Sequence, residues 1–193
     1  MQKRVFIVHG WGGDPEGDWL PWLKKQLEAR GFEVVVPQLP NTEMPTINAW
    51  VPALAAEARI PDKRTFFVGH SMGCQAIARY LEVLPEGIKV GGAVFVAGFF
   101  KRLTGIEENE KSKAIIKEWL GLPLDLKKVR AHLAKSVAIF SDDDAYVPLD
   151  NQDEFRYDLG SKIIVQKKMG HFTERTGVLE LPVALKAVLE LAR

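Results

Sequence analysis

Five consecutive residues, Gly69-His70-Ser71-Met72-Gly73, set a serine between two glycines. The apolar run Thr65-Phe66-Phe67-Val68 precedes them, and the helical pattern Cys74-Gln75-Ala76-Ile77 follows. A G-x-S-x-G turn from strand to helix strains the serine and pushes its hydroxyl out at the top of a sheet. The glycines let the backbone turn that sharply without a clash. A serine hydroxyl needs an adjacent base to become a nucleophile, and four histidines are available. His70 is expected to point away from its neighbour and to be structural. His132, near the end of a helix, reads as a surface residue. His9 ends the first apolar run, where it is expected to hold loops. His171, in Met169-Gly170-His171-Phe172, follows the last strand and is free to reach back over the sheet.

A histidine base needs a carboxylate to orient it. The run Asp142-Asp143-Asp144-Ala145-Tyr146-Val147-Pro148 supplies three candidates. They read as a solvated turn, a weak cation site or a source of that carboxylate. Hard cations draw more oxygen ligands, at alternating spacing, so no metal is expected. The chain order Ser71, Asp144, His171 is a nucleophile–acid–base order known for acyl transfer, although residue type alone does not choose among the three aspartates. The oxyanion formed on attack would be met by the backbone N–H of Met72 and by a second donor from His9-Gly10-Trp11-Gly12-Gly13, with Trp11 expected. Gly10, Gly12, Phe99 and Phe172 are expected around the substrate. The glycine-rich loop is no dinucleotide site, because Pro15 stands where G-x-G-x-x-G needs its third glycine and the second strand leads to Gln38 and no acid. No cofactor is expected. A serine at the turn also excludes reactions that need a carboxylate nucleophile there.

The elements that must position these groups are six short, mostly continuous apolar runs: 4–8, 32–36, 65–69, 90–97, 136–140 and 162–166. Such runs mark parallel strands covered on both faces. Helical patterns alternate with them. One is expected to be capped by Asp18 and closed by Gly31; others span 46–59, 71–84, 149–159 and 182–192, and one opens at Asp125. This alternation predicts an α/β fold with a six-stranded, doubly wound, mainly parallel sheet in the order 2-1-3-4-5-6. Ligands then bind outside the strand ends where the first and third strands part.

The chain has 193 residues, 47% of them apolar and 26% charged, with a net charge of +1. These values fit one domain, 1–193, with a real core, and give no reason to expect nucleic acid or a membrane as partner. A single cysteine, Cys74, excludes a disulfide framework and reads as a small buried residue. The apolar run at the start is too short for a signal sequence, so a cytoplasmic location is the simplest expectation.

The stretches Asp18-Trp19-Leu20-Pro21-Trp22, Ile47-Asn48-Ala49-Trp50-Val51-Pro52, Gly69-His70-Ser71-Met72-Gly73, Asp144-Ala145-Tyr146-Val147-Pro148 and Gly170-His171-Phe172 resemble the small serine hydrolases of the retinoblastoma-binding-protein-nine type and their bacterial relatives. The resemblance covers almost the whole chain. It implies a three-layer α/β-hydrolase fold with a minimal cap or none, and a triad of Ser71, Asp144 and His171. It points to small acyl substrates, carboxylesters first among them, and to a monomer or weak dimer. The segment 99–124 is longer than a minimal connection and could serve as a short lid. A non-catalytic interaction module on the same fold is the alternative. The pocket-protein motif Leu-x-Cys-x-Glu is absent, since Met72 and Ala76 flank Cys74 at those positions.

Overall fold

The computed structural model describes residues 2–193; Met1, the first residue of the expected domain, lies outside the described residues. Among the described residues are six strands and six α-helices, in the order β1 (Arg4–Val8), α1 (Leu20–Glu28), β2 (Glu33–Val35), α2 (Ile47–Ala58), β3 (Thr65–His70), α3 (Met72–Glu82), β4 (Gly92–Val96), α4 (Glu110–Gly121), α5 (Leu126–His132), β5 (Ser136–Ser141), β6 (Lys162–Gln166) and α6 (Pro182–Leu191). The strand order is β2-β1-β3-β4-β5-β6, and every pairing is parallel. This is the predicted order, and it is the α/β-hydrolase arrangement.

The continuous apolar runs have a simple cause. Side chains alternate across a strand, and both faces of this sheet are covered. Val5, Ile7, Phe66 and Val68 pack into one core with α1 and α6. Phe6, Val8 and Phe67 pack into the other with α2 and α3. The edge strands depart from the rule: β2 keeps only three residues, and β6 is half-exposed along its length.

Three expectations are corrected, and one helix is added. Asp18 does not cap α1. Trp19 occupies that position, and the Asp18 carboxylate accepts instead from the distant N–H of Glu174 at 2.8 Å. The stretch 149–159 is not an α-helix but a 3₁₀ turn, Leu149–Asn151, followed by a π turn, Glu154–Asp158. Two anchors set that irregular path. The Asn151 side chain accepts from the N–H groups of Phe100, Lys101 and Arg102, and Phe155 seats its ring among Phe95, Phe100 and Phe140. His132 is not a surface residue but is 6% exposed, with Nδ1 2.7 Å from the Ile88 carbonyl. Finally, the segment 99–124 contains a helix, α4, that periodicity did not reveal.

That helix is built into the body of the protein. Asn109 caps it by accepting from Ser112 N–H. Trp119 is fully buried, crosses the Trp50 ring edge-on at 5.6 Å and donates its indole N–H to the Pro45 carbonyl at 3.0 Å. Glu118 accepts the N–H of Ile47, the first residue of α2, at 2.8 Å. Trp119→Ala should therefore cost about 3–5 kcal/mol in urea unfolding, as for other large buried aromatics. A loss below about 1 kcal/mol would show that α4 contributes nothing to the core.

Candidate active site

β3 ends at His70, and α3 begins at Met72, so the whole turn is made at Ser71. Its φ of 51° is positive, a conformation that costs a non-glycine residue about 1–3 kcal/mol. The surroundings enforce it. Ser71 N–H donates to the Val96 carbonyl at the end of β4, and the Ser71 carbonyl accepts from Cys74 N–H. The flanking glycines are required by close approach. A Cβ on Gly73 would lie 2.3 Å from the Val8 carbonyl oxygen, and one on Gly69 would lie 2.8 Å from Cys74 N. Gly10 passes directly over the turn, its own Cβ position 3.1 Å from that of Ser71.

The loop after β6 carries His171 and is held at every residue from 168 to 172. Lys168 N–H donates to Asp142 Oδ1, Met169 N–H to Ser141 Oγ and Gly170 N–H to Asp143 Oδ1. The His171 carbonyl accepts from His70 Nε2 at 2.8 Å, and the Phe172 carbonyl accepts from the Trp19 indole N–H at 3.0 Å. The side chain of His171 places Nδ1 2.8 Å from Asp144 Oδ2. The other carboxylate oxygen of Asp144 accepts from Tyr146 N–H at 2.8 Å and Val147 N–H at 3.0 Å. Asp144 is thus locked from both sides, with its side chain only 2% exposed. Nδ1–H donating to the carboxylate leaves the Nε2 lone pair available as a base.

The three adjacent aspartates have three different tasks. Asp142 Oδ1 accepts from the N–H of Lys168, 26 residues on. Asp143, fully exposed, is held below the usual carboxylate range first by the Ser141 hydroxyl and then by Gly170 N–H. Only Asp144 meets the imidazole.

Other expected site residues divide. In the loop after β1, Gly12 N–H donates to the Thr42 carbonyl and Gly13 N–H to the Gly10 carbonyl. The N–H groups of Trp11 and Met72 have no backbone acceptor among the described residues. Gly12 is exposed at positive φ. Phe99 and Phe172 are corrections: at 1% and 0% exposure they belong to the two cores and offer no wall to a substrate. Tyr146, which the sequence did not single out, is 39% exposed and sets its ring edge-on to His171 at 5.2 Å.

The remaining histidines are structural. His9 accepts Leu39 N–H on Nε2 and places Nδ1 2.9 Å from the Gly10 carbonyl. Burial lowers its pKa. His70 is pushed down to about 3, chiefly by burial and then by its neighbour His171. An unfolded histidine takes its proton near 6.5. Between those values the unfolded chain holds more protons than the folded one, so acid favours unfolding. Stability measured by urea midpoints should fall from pH 6.5 towards pH 4, and His70→Gln should reduce that slope by up to about 1.4 kcal/mol per pH unit. Parallel slopes in the two proteins would show that His70 is not held neutral.

The Serine hydrolase family model matches residues 5–190. The YdeN protein of Bacillus subtilis (strain 168) is 30% identical over 183 residues, covering 95% of this chain and 93% of its own. The serine hydrolase RBBP9 of Rattus norvegicus is 27% identical over 189 residues, covering 97% and 95%. The crystal structure of the B. subtilis ydeN gene product superposes with a TM-score of 0.89 at 28% identity over 98% of either chain. Est1E from Butyrivibrio proteoclasticus shares the fold, with a TM-score of 0.73 at 12% identity, over 98% of this chain and 88% of its own. With its elbow serine and a family match over nearly its whole length, the chain belongs to the serine hydrolase family.

Proposed function

We propose that this hydrolase cleaves small carboxylesters through an acyl-enzyme on Ser71. The observation that carries the reading is the Asp144–His171 contact at 2.8 Å, with the second Asp144 oxygen fixed by two backbone N–H groups. In this mechanism His171 Nε2 takes the Ser71 hydroxyl proton as Oγ attacks the acyl carbonyl. Asp144 holds the ring in the needed tautomer and stabilises the imidazolium. The N–H groups of Met72 and Trp11 receive the oxyanion; Trp11 suits the task because the N–H groups of Gly12 and Gly13 are already engaged. His171 returns the proton to the leaving alcohol, and water then attacks the acyl carbonyl by the same route in reverse. The mechanism requires Ser71 Oγ to reach His171 Nε2, a contact of the kind that tightens when the substrate binds.

Short acyl chains suit this chain best. The residues available for a cap are few, and α4 is committed to the core through Trp119 and Glu118. Esters of graded acyl length should be cleaved fastest at the short end. Activity rising steadily into long chains would reverse this reading.

Ser71→Ala should abolish both fluorophosphonate labelling and p-nitrophenyl ester hydrolysis while the protein stays folded. Undiminished turnover would remove Ser71 as nucleophile. Asp144→Asn should lower kcat by about 10⁴, by analogy with other triads, since the amide favours the wrong imidazole tautomer. Asp142→Asn and Asp143→Asn should be mild, because an amide oxygen still accepts from Lys168 and Gly170 N–H. If Asp143→Asn were the inactive variant, the assignment within the loop would be wrong by one residue.

A further inference from the structure

Gln75 and Arg79 are four residues apart and share one stripe of α3, the helix that begins directly after Ser71. At 1.5 Å per residue, Gln75 lies about 6 Å and Arg79 about 12 Å along the helix from the nucleophile. Gln75 and Arg79 are 1% and 6% exposed, and both line a cavity of about 220 Å³. Its far walls are Phe100, Trp119, the 121–124 connection and Glu154, in the π turn. Arg79 spends its terminal nitrogens on the carbonyls of Trp119, Leu122 and Pro123. Three buried atoms around this space have no hydrogen-bond partner among the described residues: Gln75 Oε1, Arg79 Nε and Glu154 Oε2.

Buried polar groups are nearly always paired, so three unpaired atoms around one cavity call for a partner inside it. They are two acceptors and one donor. Their complement is a group with two N–H donors and one oxygen acceptor. The charges narrow the choice further. Glu154 opposes an anion, Arg79 opposes a cation, and together they accept a group of no net charge.

We propose that this cavity binds a small uncharged or zwitterionic group carrying N–H donors and a carbonyl or carboxylate oxygen, either a primary carboxamide or an amino-acid head group. The N–H donors go to Gln75 Oε1 and Glu154 Oε2, and the oxygen accepts from Arg79 Nε. Lying one helical turn from Ser71, the site would receive the polar end of a substrate whose carbonyl sits at the nucleophile. That link to turnover rests on the reaction proposed above; the binding does not.

Binding is therefore tested on the Ser71→Ala protein, labelled with ¹⁵N, by following the Gln75 side-chain amide, the Arg79 Nε–H and the Trp119 indole N–H. The probes are propionamide and β-alanine, with propionate and propylamine as singly charged controls. Saturable shifts are expected with propionamide, β-alanine or both, and with neither control. Gln75→Leu should weaken the binding by about fivefold or more, the typical worth of one hydrogen bond. Glu154→Gln, which keeps the shape and an acceptor, separates the two sources: it spares propionamide and removes β-alanine. Absence of saturation with both probes, or equal binding in both variants, would overturn the site and leave a cavity that holds water only. If the probes bind but wild-type protein cleaves no ester, the reaction fails and the site stands.

Discussion

Asp144 and His171 leave from the ends of neighbouring parallel strands, and their 2.8 Å contact depends on that adjacency. β5 and β6 run in register to Ser141 and Gln166. Both exits therefore emerge at one sheet edge, the edge where β3 delivers Ser71. A parallel sheet buried on both faces is what makes this possible, because every strand then ends on the same side. Ring angle still has to be set, and that is done by the backbone around His171. Ser141, Asp142 and Asp143 hold the loop from the β5 side; His70 and Trp19 hold it from the other.

The electrostatics of this bracket follow from burial. His70 lies beside His171, with ring centroids 5.1 Å apart. A charged His70 would oppose protonation of His171, which the proposed general-base role requires. Burial keeps His70 neutral, so it supplies a hydrogen bond without a competing charge. Asp144 meanwhile faces the imidazole through Oδ2, with Oδ1 already engaged. Its orientation is prepaid by Tyr146 and Val147 N–H groups, and the ring has one angle to adopt.

The strands were legible because a doubly covered sheet writes itself as continuous apolar runs, and 4–8 and 162–166 were readable to the residue. The elbow and the aspartate–histidine pair were legible because their chemistry is carried by residue type and chain order. The bracket was not. Trp19 and Phe172 are 153 residues apart, and His70 and His171 are 101 apart; no local pattern encodes such contacts. The misread residues share another cause. Phe99 and Phe172 follow the ends of β4 and β6, where the chain leaves the sheet and residue type alone does not separate core from site; both are buried. The Glu154–Asp158 π turn closes through Leu159 N–H to the Glu154 carbonyl, five residues back, a period that helical patterning does not test.

Backbone strain shows the same division of labour. Among the described residues, seven that are not glycine have positive φ: Asp18, Asn41, Arg59, Ser71, Ala97, Lys168 and Phe172. Five of them, Asp18, Ser71, Ala97, Lys168 and Phe172, lie at the strand exits or in the bracket that holds His171. Each such conformation persists only where its surroundings over-determine it. Here those surroundings are the ends of the buried strands, where Ala97 N–H donates to Ile139 and Ser71 N–H to Val96. The two apolar cores supply the stability, and the strained residues spend part of it at one edge. The elbow can therefore stay sharp and the histidine loop bent before any substrate arrives.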